Sequence, residues 1–297
     1  MFRNAYILLI LTMLCWAGNS IAGKIAIGHV SPMLLNTMRW LVAALVLGIL
    51  YREMIRTEAP ALKKNGLLLL FLGTLGFTGF SIALYTALLH TSAINVSIQQ
   101  AAMPLVVFLF NFMLFRTGVA AAQIMGFLLS AIGVLLIISH GEPARLIAMD
   151  FNIGDLIMLG AVLCYGAYTV ALRLKPALRW QTFLFALALA GFISSLPFTL
   201  WEFAVGNGIL PTATGWGVIA FAAIFPSLIS QAFFIRGVEL IGANRAGLFI
   251  NLVPIFATLM SIAILGEEFH AYHALALILV LGGIGLAERS GRKRAAG

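Results

Sequence analysis

LCWAGNS, residues 14–20, sits in the middle of the first long apolar run, and LCYGAYT, residues 163–169, sits in the middle of another. Gly and Asn are costly in a helix surrounded by hydrocarbon, so their place at mid-run asks what they face. Sliding the chain along itself by 149 or 150 residues aligns Leu14-Cys15-Trp16 with Leu163-Cys164-Tyr165, and Lys24 with Arg173. The same shift aligns Ser81 with Gln231, Pro104 with Pro254 and Gly133 with Gly283. An offset held this steadily across the apolar runs indicates an internal repeat.

The 297 residues are 62% hydrophobic and 9% charged, too much apolar surface for one aqueous domain. An integral membrane protein is expected, with its chemistry inside or beside the bilayer. The first run is too long for a cleaved leader, and cleavage would orphan its repeat partner. Runs of about 20 apolar residues predict spanning helices near 4–24, 32–51, 66–88, 93–115, 119–138, 153–174, 180–202, 215–237, 243–265 and 270–287. Ser31-Pro32, Gly141-Glu142-Pro143, Lys175-Pro176 and Gly206-Asn207-Gly208 mark turns between them. Cys15 and Cys164 lie inside apolar runs and read as small packing residues.

A net charge of +8 could suggest nucleic acid, but the basic residues collect in alternate loops. With a cytoplasmic N-terminus, 15 of the 18 Lys and Arg residues fall on inside segments, against only Lys24 and Arg145 outside and Arg39 within a span. The positive-inside rule therefore predicts both termini in the cytoplasm and no nucleic-acid partner. The tail at 289–297, with Arg289, Arg292, Lys293 and Arg294, reads as a topological anchor.

The fold class follows: an all-α integral membrane protein of ten transmembrane helices, in two five-helix repeats over 1–150 and 151–288 around a central cavity. Five is odd, so the second repeat enters from the opposite face and the two are inverted. That organisation points to a secondary transporter, whose halves rock about a midplane site.

Mid-span polar groups must face protein or water. They fall on helices 1, 3, 4, 6, 8 and 9, leaving 2, 5, 7 and 10 as a plainer outer layer. Trp16 and Asn19, three residues apart on one helical face, correspond under the repeat to Tyr165 and Tyr168. Rings with an amide suit a planar solute with polar ends. Gln99 and Gln100 diverge by about 100°, so at least one is expected to reach the cavity. Phe77 and Phe80 stand among Gly73, Gly76 and Gly79, whose spacing favours close helix approach. Gln231, Asn251 and Asn244 add polar groups in the second half, and Pro104 and Pro254 are candidate hinges.

Arg39 lies about 10 Å along its helix from Pro32 and is expected to snorkel outward or pair with a carbonyl. Lys24 and Arg173 lie near helix ends and can snorkel likewise. Asp155, Glu267 and Glu268 fall near outer ends rather than at mid-span, which argues against a carboxylate proton relay. Glu268-Phe269-His270 with His273 has the look of a metal constellation, but a solvated or capping role on a turn is the expectation. Neither a metal nor a cofactor is expected, and no hydrolase, P-loop or dinucleotide motif occurs. An intramembrane enzyme acting on lipid or isoprenoid substrates would need clustered acidic or His residues at an interface, which the linear sequence does not display. A channel is disfavoured by the repeat.

LCWAGNSIAGKIAI, SPMLLNTMRW, GFLLSAIGVLLI after Pro104, GDLIMLGAVLCYGAYTV, NLVPIFATLMSIAILGEEF and LGGIGLA together resemble the EamA-type carriers of the drug/metabolite transporter superfamily. The resemblance covers nearly the whole chain. It implies ten helices in two inverted repeats with a cavity among helices 1, 3, 4, 6, 8 and 9. Glu267 matches a family feature, whereas its first-half counterpart is Thr117. Within the family the chain is most similar to bacterial inner-membrane exporters of aromatic amino acids, of the YddG type. That implies export of aromatic or bulky neutral amino acids without ATP, by a monomer in the inner membrane, with Lys24 or half-helix ends assisting at the substrate carboxylate. Export of other small metabolites or drugs is the alternative.

Overall fold

The computed structural model describes residues 4–116, 121–142, 144, 152–242, 246 and 248–295, and no strand occurs among them. Thr117, Arg145, Asn244 and Arg245 lie outside the described residues.

Seven helices are long and apolar enough to cross a membrane: α1 (Ala5–Ile25), α2 (Pro32–Leu50), α3 (Gly66–Ala87), α4 (Ala93–Leu114), α6 (Ile153–Leu174), α7 (Trp180–Ala204) and α8 (Ala213–Ile241). Three shorter apolar helices are α5 (Ile124–Ile138), α9 (Phe249–Leu265) and α10 (Ala271–Leu286). Polar residues start several of them. The side chains of Asn4, Ser92, Asn152 and Thr212 each accept a backbone N–H in the first turn of the helix that follows, and Pro32 opens α2 where its missing N–H costs nothing. Left-handed Arg116 and Gly242 end α4 and the helix before residue 243.

The helices are not uniform. The α3 and α8 helices each widen into a π-helical turn, over Thr74–Gly79 and Phe225–Ile229, and α9 ends in one over Ser261–Leu265. The α4 helix breaks at Ala102, two residues before Pro104, and α9 changes from a 3-10 turn ending at Asn251 to α-helix, three residues before Pro254. Both breaks stand where the prolines withhold a backbone donor.

Helix α2 packs along α7, and α5 along α10. Helix α1 packs on α8 and α9, while α6 packs on α3 and α4; α7 also meets α3, and α2 meets α8. Glycines set the close approaches. A Cβ at Gly73 would lie 2.5 Å from the Ala190 Cβ, and one at Gly76 2.6 Å from the Tyr168 ring, so α3 meets α7 and α6 with nothing between.

The expected plain layer needs correction, because the α2–α7 contact is a polar seam. Asn36 Nδ2 donates to Ser195 Oγ at 2.8 Å, and the Thr37 and Thr199 hydroxyls share a hydrogen bond at 2.7 Å. Thr78 Oγ1 of α3 donates to the Gly191 carbonyl at 3.0 Å. Small hydroxyls bond to a neighbouring helix without a cavity, so such a seam is compact and easily missed in an apolar run.

At one end of the bundle, side chains of one element bind the backbone ends of another. Glu202, at the end of α7, accepts Ser31 Oγ–H at 2.6 Å and the N–H groups of Met33 and Leu34 at 3.1 Å, capping α2. Glu267 accepts the N–H groups of Ala93 and Ile94 at 2.8 and 3.0 Å, capping α4. Lys24 Nζ donates to the Leu88 and Thr91 carbonyls at 2.8 and 2.7 Å, closing α3. Each charge complements the dipole of the terminus it meets. Loops at this end are also joined through the backbone, with Ser31 N–H donating to Ile209 O and Thr212 N–H to His29 O.

Candidate functional site

Arg39 is the point where four helices meet. It is only 6% exposed, so it does not snorkel. Its Nε donates to Ser227 Oγ of α8 at 2.7 Å, and its Nη1 donates to Tyr85 OH of α3 at 2.7 Å and to Asn19 Oδ1 of α1 at 3.2 Å. Tyr85 OH in turn donates to Asn19 Oδ1 at 2.9 Å. The guanidinium carbon also lies 4.6 Å from the centre of the Trp40 ring. Ser227 belongs to the π-helical turn of α8, and its hydroxyl donates to Ala222 O, using a carbonyl that the widened turn leaves free. Among the described residues no carboxylate lies within ion-pair distance of Arg39, so a buried positive charge is held entirely by neutral oxygens. Such a charge attracts an anion that enters its surroundings.

The aromatic candidates form two groups. Trp16, half-buried, meets Phe234 of α8 at 5.3 Å between ring centres. Phe77, Phe80, Tyr165 and Tyr168 form a second group: Phe80 meets Tyr165 at 5.0 Å, Tyr165 meets Tyr168 at 5.4 Å, and Phe77 meets Tyr168 at 6.0 Å. Phe77 and Tyr168 are buried, and Trp40 covers Phe77 at 4.2 Å while donating its indole N–H to the Phe77 carbonyl. Phe80 and Tyr165 are half-buried. Trp16 and Tyr165, equivalent by position, belong to different groups.

Gln100 Nε2 donates to Ser20 Oγ at 3.2 Å, tying α4 to α1 beside Asn19. Gln99 points elsewhere. Its Nε2 donates to Asp155 Oδ1 at 3.0 Å, and that oxygen also accepts from Thr91 Oγ1 at 2.7 Å and Asn95 Nδ2 at 3.4 Å. Gln231 and Asn251 are half-buried and make no side-chain hydrogen bond among the described residues. Pro104 is exposed and Pro254 buried, each near a break in its helix.

The charged ends require two corrections. Lys24 does not extend freely from its helix end but caps α3, donating to the Leu88 and Thr91 carbonyls. An acidic and His cluster does exist near a helix end, although the linear sequence hides it: His140 contacts Asp155 directly, and His273, from the other end of the chain, joins them through Asn95. Asp155 is fully buried, with His140 Nε2 at 3.3 Å from its Oδ2. His273, 2% exposed rather than solvated, donates from Nε2 to Asn95 Oδ1 at 3.0 Å and accepts the His270 N–H on Nδ1. No group of three His, Cys, Asp or Glu residues fit to hold a metal occurs among the described residues. Cys15 and Cys164 are free thiols.

A cleft of about 650 Å³ opens between α2, α3, α6 and α7, lined by Met33, Thr78, Ile82, Ile157, Phe198 and Trp201 among others. None of the candidate binding residues lines it. The half-buried members of the candidate set, Trp16, Phe80, Gln100, Tyr165, Gln231 and Asn251, lie on the six helices α1, α3, α4, α6, α8 and α9. Sequence reasoning missed Tyr85 and Ser227 as partners of Arg39; a charged residue well inside α2 was the available signal.

Comparison with known proteins places these features in a family. The family model described as EamA-like transporter family matches residues 3–139 and again 152–288. The chain is 27% identical to "Uncharacterized transporter YyaM" of Bacillus subtilis over 95% of its own length and 92% of that protein's. It is 21% identical to "Uncharacterized inner membrane transporter YicL" of Salmonella typhimurium, covering 99% and 98% of the two chains. A solved crystal structure shares the fold with a TM-score of 0.63 at 18% identity, over 98% of this chain and 99% of that one. The chain belongs to the EamA-like transporter family and is a multi-pass membrane transporter.

Proposed function

We propose that this transporter exports aromatic or bulky neutral amino acids across the bacterial inner membrane by alternating access, without ATP. The observation that carries the reading is the Arg39 junction. A buried guanidinium bonded only to neutral oxygens, Asn19 Oδ1 among them, and lying over the Trp40 ring offers a fixed charge for a carboxylate, and the rings of α1, α3 and α6 offer flat surfaces for a side chain. In this reading Arg39 takes the role first assigned to Lys24. Trp16, Phe80, Gln100, Tyr165, Gln231 and Asn251 contact the passing solute, Asn19 and Tyr168 support them, and the breaks near Pro104 and Pro254 serve as hinges.

The architecture behind it is ten spans in two inverted repeats, with both termini cytoplasmic and the chain acting as a monomer. Two observations support the repeat. The family model matches each half separately. Helix packing also survives exchange of the halves: α1 with α8 has its counterpart in α6 with α3, α1 with α9 in α6 with α4, and α2 with α8 in α7 with α3. The contacts α2–α7 and α5–α10 map onto themselves, as contacts across a two-fold axis do. The positive-inside count puts the end capped by Lys24, Glu202 and Glu267 outside.

Flux into purified proteoliposomes tests the function, comparing labelled phenylalanine, tryptophan, threonine and an unrelated drug. Saturable movement of the aromatic amino acids is expected; no saturable amino-acid movement under any condition would refute it. Alanine at Asn19, Gln100 or Tyr168 is expected to impair transport at equal expression, and unchanged rates in all three would return these residues to packing.

A further inference from the structure

We infer that Asp155 and His140 form a proton-binding site that couples transport to a proton gradient; this rests on the proposed transport function. Asp155 lies in the first turn of α6, and its side chain is fully buried. All three of its hydrogen bonds fall on Oδ1, from Thr91, Asn95 and Gln99. Oδ2, equally buried, has no hydrogen-bond partner, and it faces His140 Nε2 across 3.3 Å. Gln99 Oε1 is also buried without a partner. Three donors on one oxygen suit an ionised carboxylate, whereas a lone oxygen opposite an imidazole nitrogen suits a proton held between them.

His140 gives the site its entrance. Its side chain is 30% exposed while that of Asp155 is wholly shielded, and its Nε2 is shielded as well, so water reaches the ring on the side away from Asp155. The left-handed backbone of His140, φ 52°, turns the chain there at the end of α5. A proton from water binds the imidazole at Nδ1, and the proton on Nε2 passes to Asp155 Oδ2, which leaves the ring neutral. The pair then changes from net charge −1 to 0, with one proton gained and none lost elsewhere. No metal or other reactant enters the step.

Gln99 links this site to the solute path. Neutralising Asp155 weakens the charge-assisted bonds it accepts from α4 and from Thr91, so proton occupancy alters how α4 is held against α6. The adjacent Gln100 bonds Ser20 of α1, next to Asn19 of the Arg39 junction. A solute binding against α4 is then linked to the proton, and by reciprocity the proton to the solute.

Other ionisable groups stand on the elements packed around Asp155. On α10 and the turn before it stand His273, which reaches Asp155 only through Asn95, His270 paired with Glu268 at 3.6 Å, and Glu267 capping α4. From α1, Lys24 holds the Thr91 carbonyl; His90 follows α3, with its carbonyl accepting from Asn152; Glu142 shares the turn of His140. Of these groups, His140 alone forms a direct ion-pair contact with Asp155 among the described residues.

Infrared difference spectra of the protein in lipid vesicles, titrated in pH, test the site without any substrate. The wild type is expected to gain a carboxylic-acid band on acidification. Asp155→Asn should lose it, and His140→Gln, which keeps Asp155, should move its midpoint by at least about one pH unit. Coupling is read separately, as the ratio of phenylalanine accumulation driven by an imposed pH gradient to simple counterflow exchange. That ratio should fall at least tenfold in either variant. An unchanged titration in Asp155→Asn, or a ratio equal to wild type in both variants, overturns the inference. If wild type moves no amino acid at all, the proposed function fails, while the infrared titration still decides whether the proton site exists.

Discussion

Replacing Tyr85 by Phe removes one oxygen from the centre of the Arg39 junction and leaves the ring in place. That oxygen accepts from Arg39 Nη1 at 2.7 Å and donates to Asn19 Oδ1 at 2.9 Å, in a side chain only 2% exposed. One bond is to a charged donor and the other is neutral, so the loss should be about 2–4 kcal/mol. At about 1.4 kcal/mol per tenfold, the unfolding equilibrium shifts by roughly thirty- to several-hundred-fold. Unfolding by SDS in mixed micelles measures it, with Tyr6→Phe, at a 54% exposed position, as the control expected within about 0.5 kcal/mol of wild type. Combining Tyr85→Phe with Asn19→Ala should show coupling on the order of 0.5–3 kcal/mol, since both side chains belong to one network. A Tyr85→Phe loss no larger than the control's, or strict additivity with Asn19→Ala, would show that the junction does not hold the four helices as described.

Other outcomes follow from the same geometry. Arg39→Lys keeps the charge but not the fork, so the KM for phenylalanine should rise roughly 10- to 100-fold, the equivalent of losing one charge-assisted bond. Inhibition by phenethylamine, which lacks the carboxylate, should change little, and an equal loss for both would remove Arg39 from carboxylate recognition. Gly76→Ala sets a methyl 2.6 Å from the Tyr168 ring and should cost about 1–3 kcal/mol in the same unfolding assay, whereas Gly160→Ala, with nothing within 4 Å, should not destabilise. Glu267→Ala strips the acceptor from two N–H groups of α4 and should cost about 2 kcal/mol, with Glu267→Gln intermediate because one oxygen can still accept. Single cysteines at Asn65 and Asn207, in a background lacking Cys15 and Cys164, should label from the cytoplasmic and external sides respectively; the reverse pattern would invert the proposed topology.

Helix positions were legible because their signal is dense: some twenty apolar residues in a row leave little freedom, and the seven long helices coincide with expected runs to within a few residues. Gly73 and Gly76 were likewise readable, since a missing Cβ matters most where another helix presses against it. The polar groups were harder. Arg39, Asn36 and Thr37 lie in one apolar run, and nothing local in it says that Ser227, Ser195 and Thr199 complete them from the other half. The Asp155 cluster was hidden for a related reason. His140, Asp155 and His273 carry no spacing of their own, and a position near a helix end suggested solvent where neighbouring elements instead bury the side chain.

The three end caps make each helix end on this side of the bundle depend on a different element: α2 on Glu202, α4 on Glu267, α3 on Lys24. Separating those ends would expose several polar groups at once, a cost met before any solute contact can offset it. In the proposed alternating-access cycle the caps would set a waiting time for the empty carrier. Weakening one should leave the fold standing yet let the resting protein leak, which gives these bonds a place in economy of transport rather than in recognition.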